Sequence, residues 1–183
     1  MMEKENDFEL VEKFVAGDES AFNLLVRKYQ KKIYWHARQM LGNHLDADEI
    51  TQEVLIVLYN KLKTFNFRSS LYTWIYKIVT TRSLNQIRKN KFKKLIMFEN
   101  DEDKEFVSKQ DIIEDIANRE KIEMVNKALD KLPPKQKQIF VLRNFDQLSY
   151  EEISKITGKS IGGLKANYFH ALKKVMELTN EKE

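Results

Sequence analysis

Apolar residues recur at three- and four-residue spacing along most of the chain, which predicts helices rather than strands. Phe8, Val11, Phe14 and Val15 mark one side of a short helix from Asp7 to Ala16, and Gly17 ends it. Asp18 reads as an N-cap. A longer helix follows from Glu19 to Leu41, with Phe22, Leu25, Val26, Tyr29, Ile33, Ala37, Met40 and Leu41 at helical spacing and Gly42-Asn43 as its stop. Asp46-Ala47-Asp48-Glu49 opens a third helix, with Asp46 as cap and Glu49 placed to complete a capping box. Its apolar face is Ile50, Val54, Leu55, Leu58 and Leu62. After a loop over Thr64 to Ser69, Ser69 or Ser70 caps a fourth helix to about Asn90, with Leu71, Trp74, Ile75, Ile78 and Ile87 turned inward.

The periodicity then fades. Residues from Lys91 to about Asp115 read as a linker with one apolar patch, Leu95-Ile96-Met97-Phe98, and as a domain boundary. A second periodic region begins near Ile116. Ile122, Val125, Leu129 and Leu132 form a stripe, and Pro133-Pro134 starts a new helix whose buried side is Ile139, Phe140 and Leu142. Asn144 to Gln147 is a turn, Ser149-Tyr150-Glu151-Glu152 a capping box for a short helix to Thr157, and Gly158-Lys159 a tight turn. Ser160 caps the last helix, with Ile161, Leu164, Tyr168, Leu172, Val175 and Met176 on its apolar side. The expected fold is all-α: two small helical domains joined by a flexible linker, the C-terminal one holding a helix-turn-helix. The boundaries fall at 1–92, 93–115 and 116–183.

Composition supports that class. Only 5 Gly and 2 Pro interrupt 183 residues, and there is no cysteine, so thiol catalysis and disulfides are excluded. No apolar run approaches the roughly 18 residues that span a bilayer, and the N-terminus lacks a signal-peptide core. A cytoplasmic protein without membrane insertion is expected. The net charge of +4 is modest, but its distribution is not. No Asp or Glu occurs from Val54 to Phe98, where Lys61, Lys63, Arg68, Lys77, Arg82, Arg88 and four further lysines or arginines beyond it fall. Glu99 to Asp115 reverses the sign. A long acid-free segment is a footprint of phosphate contact, since a carboxylate near the backbone repels it.

Three constellations carry possible chemistry. Leu148 to Val175 makes a helix-turn-helix, in which Ile153 and Ile156 pack on Ile161 and Leu164. That leaves Lys159, Ser160, Lys165, Ala166, Asn167, Phe169 and His170 near the surface that enters a major groove; a plain three-helix bundle is the alternative. Gly162-Gly163 weakens the first turn of this helix by roughly 1–2 kcal/mol relative to alanine. The second constellation, Asp48-Glu49-x-x-Gln52-Glu53, gathers polar groups opposite the apolar face of the third helix. It suits protein docking or a plain solvated face, and no ligand set converges there for a metal. The third is a stripe of Lys77, Thr81, Asn85 and Arg88 spaced four, four and three, beside Tyr72, Tyr76, Phe67 and Arg68. Cations interleaved with aromatics suit single-stranded nucleic acid. Trp74 reads as core. His36, His44 and His170 are isolated and read as surface or packing residues. No phosphate-binding Gly loop or Ser/His/Asp ordering is present, and no cofactor is expected.

The runs YQKKIYWHARQMLGNHLDADEITQEVLIVLYNKLKTF and LYTWIYKIVTTRSLNQIRKNK resemble the second conserved domain of sigma-70-family factors. LDKLPPKQKQIFVLRNFDQLSYEEISKITGKSIGGLKANYFHALKKV resembles the fourth. The short stretch between them points to the extracytoplasmic-function (ECF) subgroup. The resemblance implies a promoter-recognition subunit and not an enzyme. It implies that Glu49, Gln52 and Glu53, flanked by Asp48, grip the clamp helices of the polymerase beta-prime subunit, and that the C-terminal domain meets the beta flap. It implies that the loop Phe65–Ser70 and the helix Leu71–Arg88 melt the −10 region and hold a flipped base, and that Lys165, Ala166, Phe169 and His170 read the −35 element. An anti-sigma protein is an expected partner, with promoter DNA and polymerase core. The sequence departs from many relatives at Thr81, where Asn is common, and at Gly163-Leu164, where Thr-Val is frequent. Arg is common at the positions of Lys165, Asn167 and His170, and a lysine lacks the bidentate fork that reads guanine. An autonomous helix-turn-helix repressor is the rival reading, and a small enzyme a weaker third.

Overall fold

A computed structural model describes residues 6–97 and 124–180. The acidic run, Phe98, Ile116 and Ile122 lie outside the described residues. The described residues are helical, with turns and one short 3-10 segment between helices.

Among the described residues the N-terminal unit is four α-helices. Helix α1 (Asp7–Val15) is opened by a capping box of Asn6 and Glu9. It buries Leu10, Val11 and Phe14, while Phe8 and Val15 are exposed. The expected face was therefore rotated by part of a turn, because Leu10 and not Phe8 shares the side of Phe14 that meets the core. Helix α2 (Glu19–Leu41) runs between the Asp18 cap and a left-handed Gly42, as expected. Helix α3 spans His44–Lys61 and starts earlier than expected. Its cap is Asn43, whose side chain accepts from the Asp46 backbone N–H at 2.8 Å. Asp46 is thereby freed for another task. Its carboxylate accepts from Gln86 at 3.1 Å and Asn90 at 2.8 Å, pinning α3 to the next helix.

A 3-10 turn (Leu62–Thr64) leads into the loop before helix α4 (Leu71–Met97). Ser70 closes that loop, its hydroxyl accepting from the Thr73 N–H at 3.1 Å. Helix α4 runs past the expected end near Asn90 because Lys91 to Met97 contains no Gly or Pro to stop it. The core of the unit joins Leu25, Tyr29 and Ile33 of α2 to Ile50, Val54 and Leu58 of α3 and to Leu71, Ile75 and Val79 of α4. Trp74 is half-buried against this core, as expected.

The C-terminal unit begins, among the described residues, with helix α5 (124–130). Helix α6 (Pro134–Asn144) has a proline in its first turn. Helix α7 (Tyr150–Thr157) is opened by the Ser149–Glu152 capping box and closed by a left-handed Gly158. Helix α8 (Ile161–Asn180) completes the helix-turn-helix. Ile153, Ile156 and Leu164 pack with Ile139 and Leu142, and Ala128, Leu129 and Leu132 pack with Phe140, Ala171 and Val175. Ile161 and Met176 are more exposed than the expected stripe required. Ala171 replaces them as the central buried position, two turns on from Leu164 along the same side.

The two units pack against each other through α2 and α4 on one side and α6 and α7 on the other. Tyr76 of α4 lies inside the same apolar cluster as Ile139, Leu148 and Ile153. At the other edge α2 ends against α5: a Cβ on Gly42 would stand 3.2 Å from the Asp130 carboxylate. With its φ of +83°, Gly42 also has a backbone that other residues adopt only with strain.

Candidate nucleic-acid and polymerase interfaces

On α3 the buried stripe of Ala47, Ile50, Thr51, Val54 and Leu58 fixes which residues face out. Asp48, Glu49 and Gln52 are exposed, and Gln52 donates to Asp48 at 3.0 Å. Leu45 and Ile56 are exposed on the same face, at relative areas of 81% and 60%. Two apolar side chains thus bracket the polar group, a composition that suits a docking surface better than a solvated one. Glu53 differs from its neighbours. It is half-buried and forms an ion pair with Arg82 of α4.

The loop after the 3-10 turn is built from aromatic rings. Phe65 sits between Phe67 at 4.8 Å and Trp74 at 5.1 Å between centroids. Phe67 has a φ of +55° and rests on Phe8 of α1 at 4.6 Å. A left-handed phenylalanine costs energy and persists only where its surroundings hold it. Arg68 beside it is exposed. Along α4, Lys77, Thr81, Asn85 and Arg88 are all exposed on one side, as their spacing predicts. The Thr81 hydroxyl donates back to the Lys77 carbonyl at 2.7 Å, and Arg88 donates to Asn85 at 3.3 Å.

Tyr72 and Tyr76 do not share that exposure. Their rings lie 4.3 Å apart, Tyr72 is half-buried and Tyr76 is buried under the C-terminal unit. The Tyr76 hydroxyl donates to Asp146 at 3.2 Å. Burial, then the charge of Asp146, push its phenol far above the usual tyrosine value.

Asp146 also meets His36, a residue that sequence pattern marks only as isolated. The His36 ring is buried. Its Nδ1 lies 2.6 Å from Asp146 Oδ2 and its Nε2 lies 3.0 Å from the Thr80 hydroxyl. Both ring nitrogens are engaged, Nδ1 by the Asp146 carboxylate and Nε2 by the Thr80 hydroxyl. His36, Thr80 and Asp146 thus form a buried polar joint between the two units. The only sequence signal for it is weak: a histidine and a threonine at core positions of α2 and α4.

On α8, Lys165, Ala166, Phe169 and His170 form one exposed face, with the Phe169 and His170 rings 5.9 Å apart. Lys165 extends over the Tyr150 ring of α7 at 5.7 Å. Asn167 turns away, its amide donating to the Gly163 carbonyl at 2.8 Å. Ser160 is exposed and caps the helix by accepting from the Gly163 N–H at 3.3 Å. Lys159 is half-buried, and burial together with the nearby Lys135 lowers its pKa. Gly162 has open space where a Cβ would go. Gly162→Ala should therefore stabilise the C-terminal unit by about 1 kcal/mol, read as a higher midpoint in thermal unfolding.

Two family matches bear on these faces. Residues 25–93 match Sigma-70 region 2, and residues 122–175 match Sigma-70 region 4. The RNA polymerase sigma-H factor of Pseudomonas aeruginosa is 31% identical over 178 residues, covering 93% of this chain and 92% of that protein.

The chain belongs to the sigma-70 family.

It falls in the ECF subgroup, whose Bacillus subtilis member SigW is 30% identical over 156 residues, covering 81% of this chain and 83% of that one. Its fold is also that of a solved sigma factor, RpoE of Bartonella quintana, determined in complex with the anti-sigma factor NepR. The TM-score is 0.70 at 21% identity, over 88% of this chain and 98% of that one. As a sigma factor the chain directs RNA polymerase to promoters, and sigma factors are regulatory subunits rather than catalysts. The C-terminal match covers α5, α6, α7 and α8 to residue 175, and the N-terminal match covers most of α2, all of α3 and α4 to residue 93. No described helix is long and apolar enough to cross a membrane.

Proposed function

We propose that residues 1–92 bind the polymerase core and the −10 element, that 116–183 bind the −35 element, and that 93–115 connect them. Asp48, Glu49 and Gln52, bracketed by Leu45 and Ile56, dock on the beta-prime clamp helices. Glu53 contributes once Arg82 releases it. Phe67, Arg68, Tyr72, Tyr76, Lys77, Thr81, Asn85 and Arg88 engage the −10 strand as it melts, the cations on phosphate and the rings on unstacked bases. Lys165, Ala166, Phe169 and His170 enter the major groove at −35, with Lys159, Ser160 and Asn167 beside them. Asn167 keeps one amide N–H on the Gly163 carbonyl and has its second N–H and Oδ1 for DNA. The beta flap is a second polymerase contact of the C-terminal unit. An anti-sigma protein restrains the factor; the Bartonella neighbour was solved in complex with the anti-sigma factor NepR. The site of action is the cytoplasm.

The observation that carries this reading is the α4 stripe, four exposed groups on one side of a helix free of carboxylates. A repressor that binds closed duplex has no use for such a strand-holding face. Transcription in vitro with purified core on a promoter library tests it. The expected result is run-off product from a subset of promoters, which disappears with Arg88→Ala and Lys77→Ala together. Footprinting of a palindrome in the absence of polymerase, with no transcription in its presence, would replace it with the repressor reading.

A further inference from the structure

Beside the buried joint the two units leave an open groove of about 490 Å³. Lys77 and Arg88 of α4 face it from one side, and Lys135 and Lys159 of the C-terminal unit from the other. No carboxylate lines it among the described residues, and none of these four cations forms an ion pair with a described acid. Packing the units therefore gathers four like charges around one space. Lys159 registers that, since burial and the Lys135 charge both disfavour its ammonium form. Between the cations the walls mix apolar surface, Leu84 from α4 and Pro133, Pro134 and Ile156 opposite, with the polar Thr80, Thr81, Gln138 and Thr157. The volume lies within the range of small-molecule sites.

We propose that this groove binds a nucleotide carrying two or more phosphates, which bridges the two units and holds them packed. The phosphates answer the uncompensated cations. A flat base answers the Pro133 and Leu84 walls, which leave apolar surface that an inorganic phosphate chain would not cover. Because its cations come from both units, the site is complete only when they touch. A ligand that binds only the packed arrangement must favour it by mass action.

The effect on promoters rests on the reading under Proposed function. Elements centred near −35 and −10 lie about 25 base pairs apart, or roughly 85 Å along the duplex. Units in contact cannot occupy both, and Tyr72 and Tyr76 are covered while the units touch. The bound nucleotide therefore opposes promoter engagement.

The test uses the full chain alone, without polymerase or DNA, so that its failure leaves the sigma-factor reading standing. Calorimetric titration at constant ionic strength compares ATP, GTP, tripolyphosphate and adenosine, with X-ray scattering to follow the separation of the units. One nucleotide should bind per chain, tripolyphosphate at least tenfold more weakly, and adenosine not at all. Lys135→Glu should weaken nucleotide binding tenfold or more. Asp146→Asn and His36→Gln, one on each side of the joint and checked for helix content by circular dichroism, should separate the units and lose binding together. Absence of saturable binding overturns the proposal. So does equal affinity for tripolyphosphate and ATP, since the base is then unread. Binding indifferent to Lys135→Glu, or retained in separated units, also overturns it, because the ligand is then held by diffuse charge or by one unit alone.

Discussion

Polymerase core should no longer co-purify with the chain when Asp48→Lys and Glu49→Lys are combined, while the thermal midpoint should stay unchanged. Both carboxylates are exposed on the outer face of α3, and neither is in an ion pair with a described residue. Their replacement removes only the exposed Gln52–Asp48 hydrogen bond and no buried packing, so the stability change should stay within about 0.5 kcal/mol. The docking change is far larger. Truncating one partner of a desolvated interfacial charge pair costs about 2–5 kcal/mol, and reversal adds repulsion. Even the lower figure is roughly thirtyfold in affinity. Glu53 is a poorer test, because its loss also breaks the pair with Arg82 and disturbs the contact between α3 and α4. Pull-down from core polymerase reads the outcome, and wild-type retention of the double variant would remove α3 as the docking helix. Leu45→Ser and Ile56→Ser should weaken the same pull-down without changing charge.

The second large effect is on folding. Leu164 is fully buried where α8 meets α7 and α6. Leu164→Ala should destabilise the C-terminal unit by about 2–5 kcal/mol, from lost burial and the cavity left behind. Small domains have little more than about 5 kcal/mol in total. The unit should then be largely unfolded near physiological temperature, and −35-dependent transcription lost. The N-terminal unit has its own core and should still unfold cooperatively. Two resolved transitions by calorimetry are expected in place of one shifted transition, and a uniform shift would show that the units fold only together.

Much of this architecture is written in short-range pattern. The bounds of α2 follow from Asp18 and Gly42, and the helix-turn-helix from the Ser149–Glu152 box and Gly158, because caps and left-handed turns are chosen by neighbouring residues. Where two residues compete for one local task the pattern is ambiguous. Asn43 and Asp46 can each cap α3, and only the pull of Gln86 and Asn90 on Asp46 decides between them. The exposed stripe on α4 was legible from its spacing. The burial of Tyr76 was not, since the surface that covers it belongs to a unit some sixty residues on. The same holds for His36 and Asp146. A buried donor and acceptor separated by 110 positions leave no periodic trace.

That separation also sets an order in time. Contacts within α1 to α4 and within α5 to α8 join nearby stretches of chain and form quickly, as in other helical bundles. The His36–Asp146 contact closes a loop of 110 residues. Loop closure of that length costs roughly 4 kcal/mol from its logarithmic dependence alone. The joint should therefore be among the last contacts to form as the chain folds and among the first to open in the folded protein. Amide hydrogens along the α4–α7 seam should exchange with solvent sooner than those of either core.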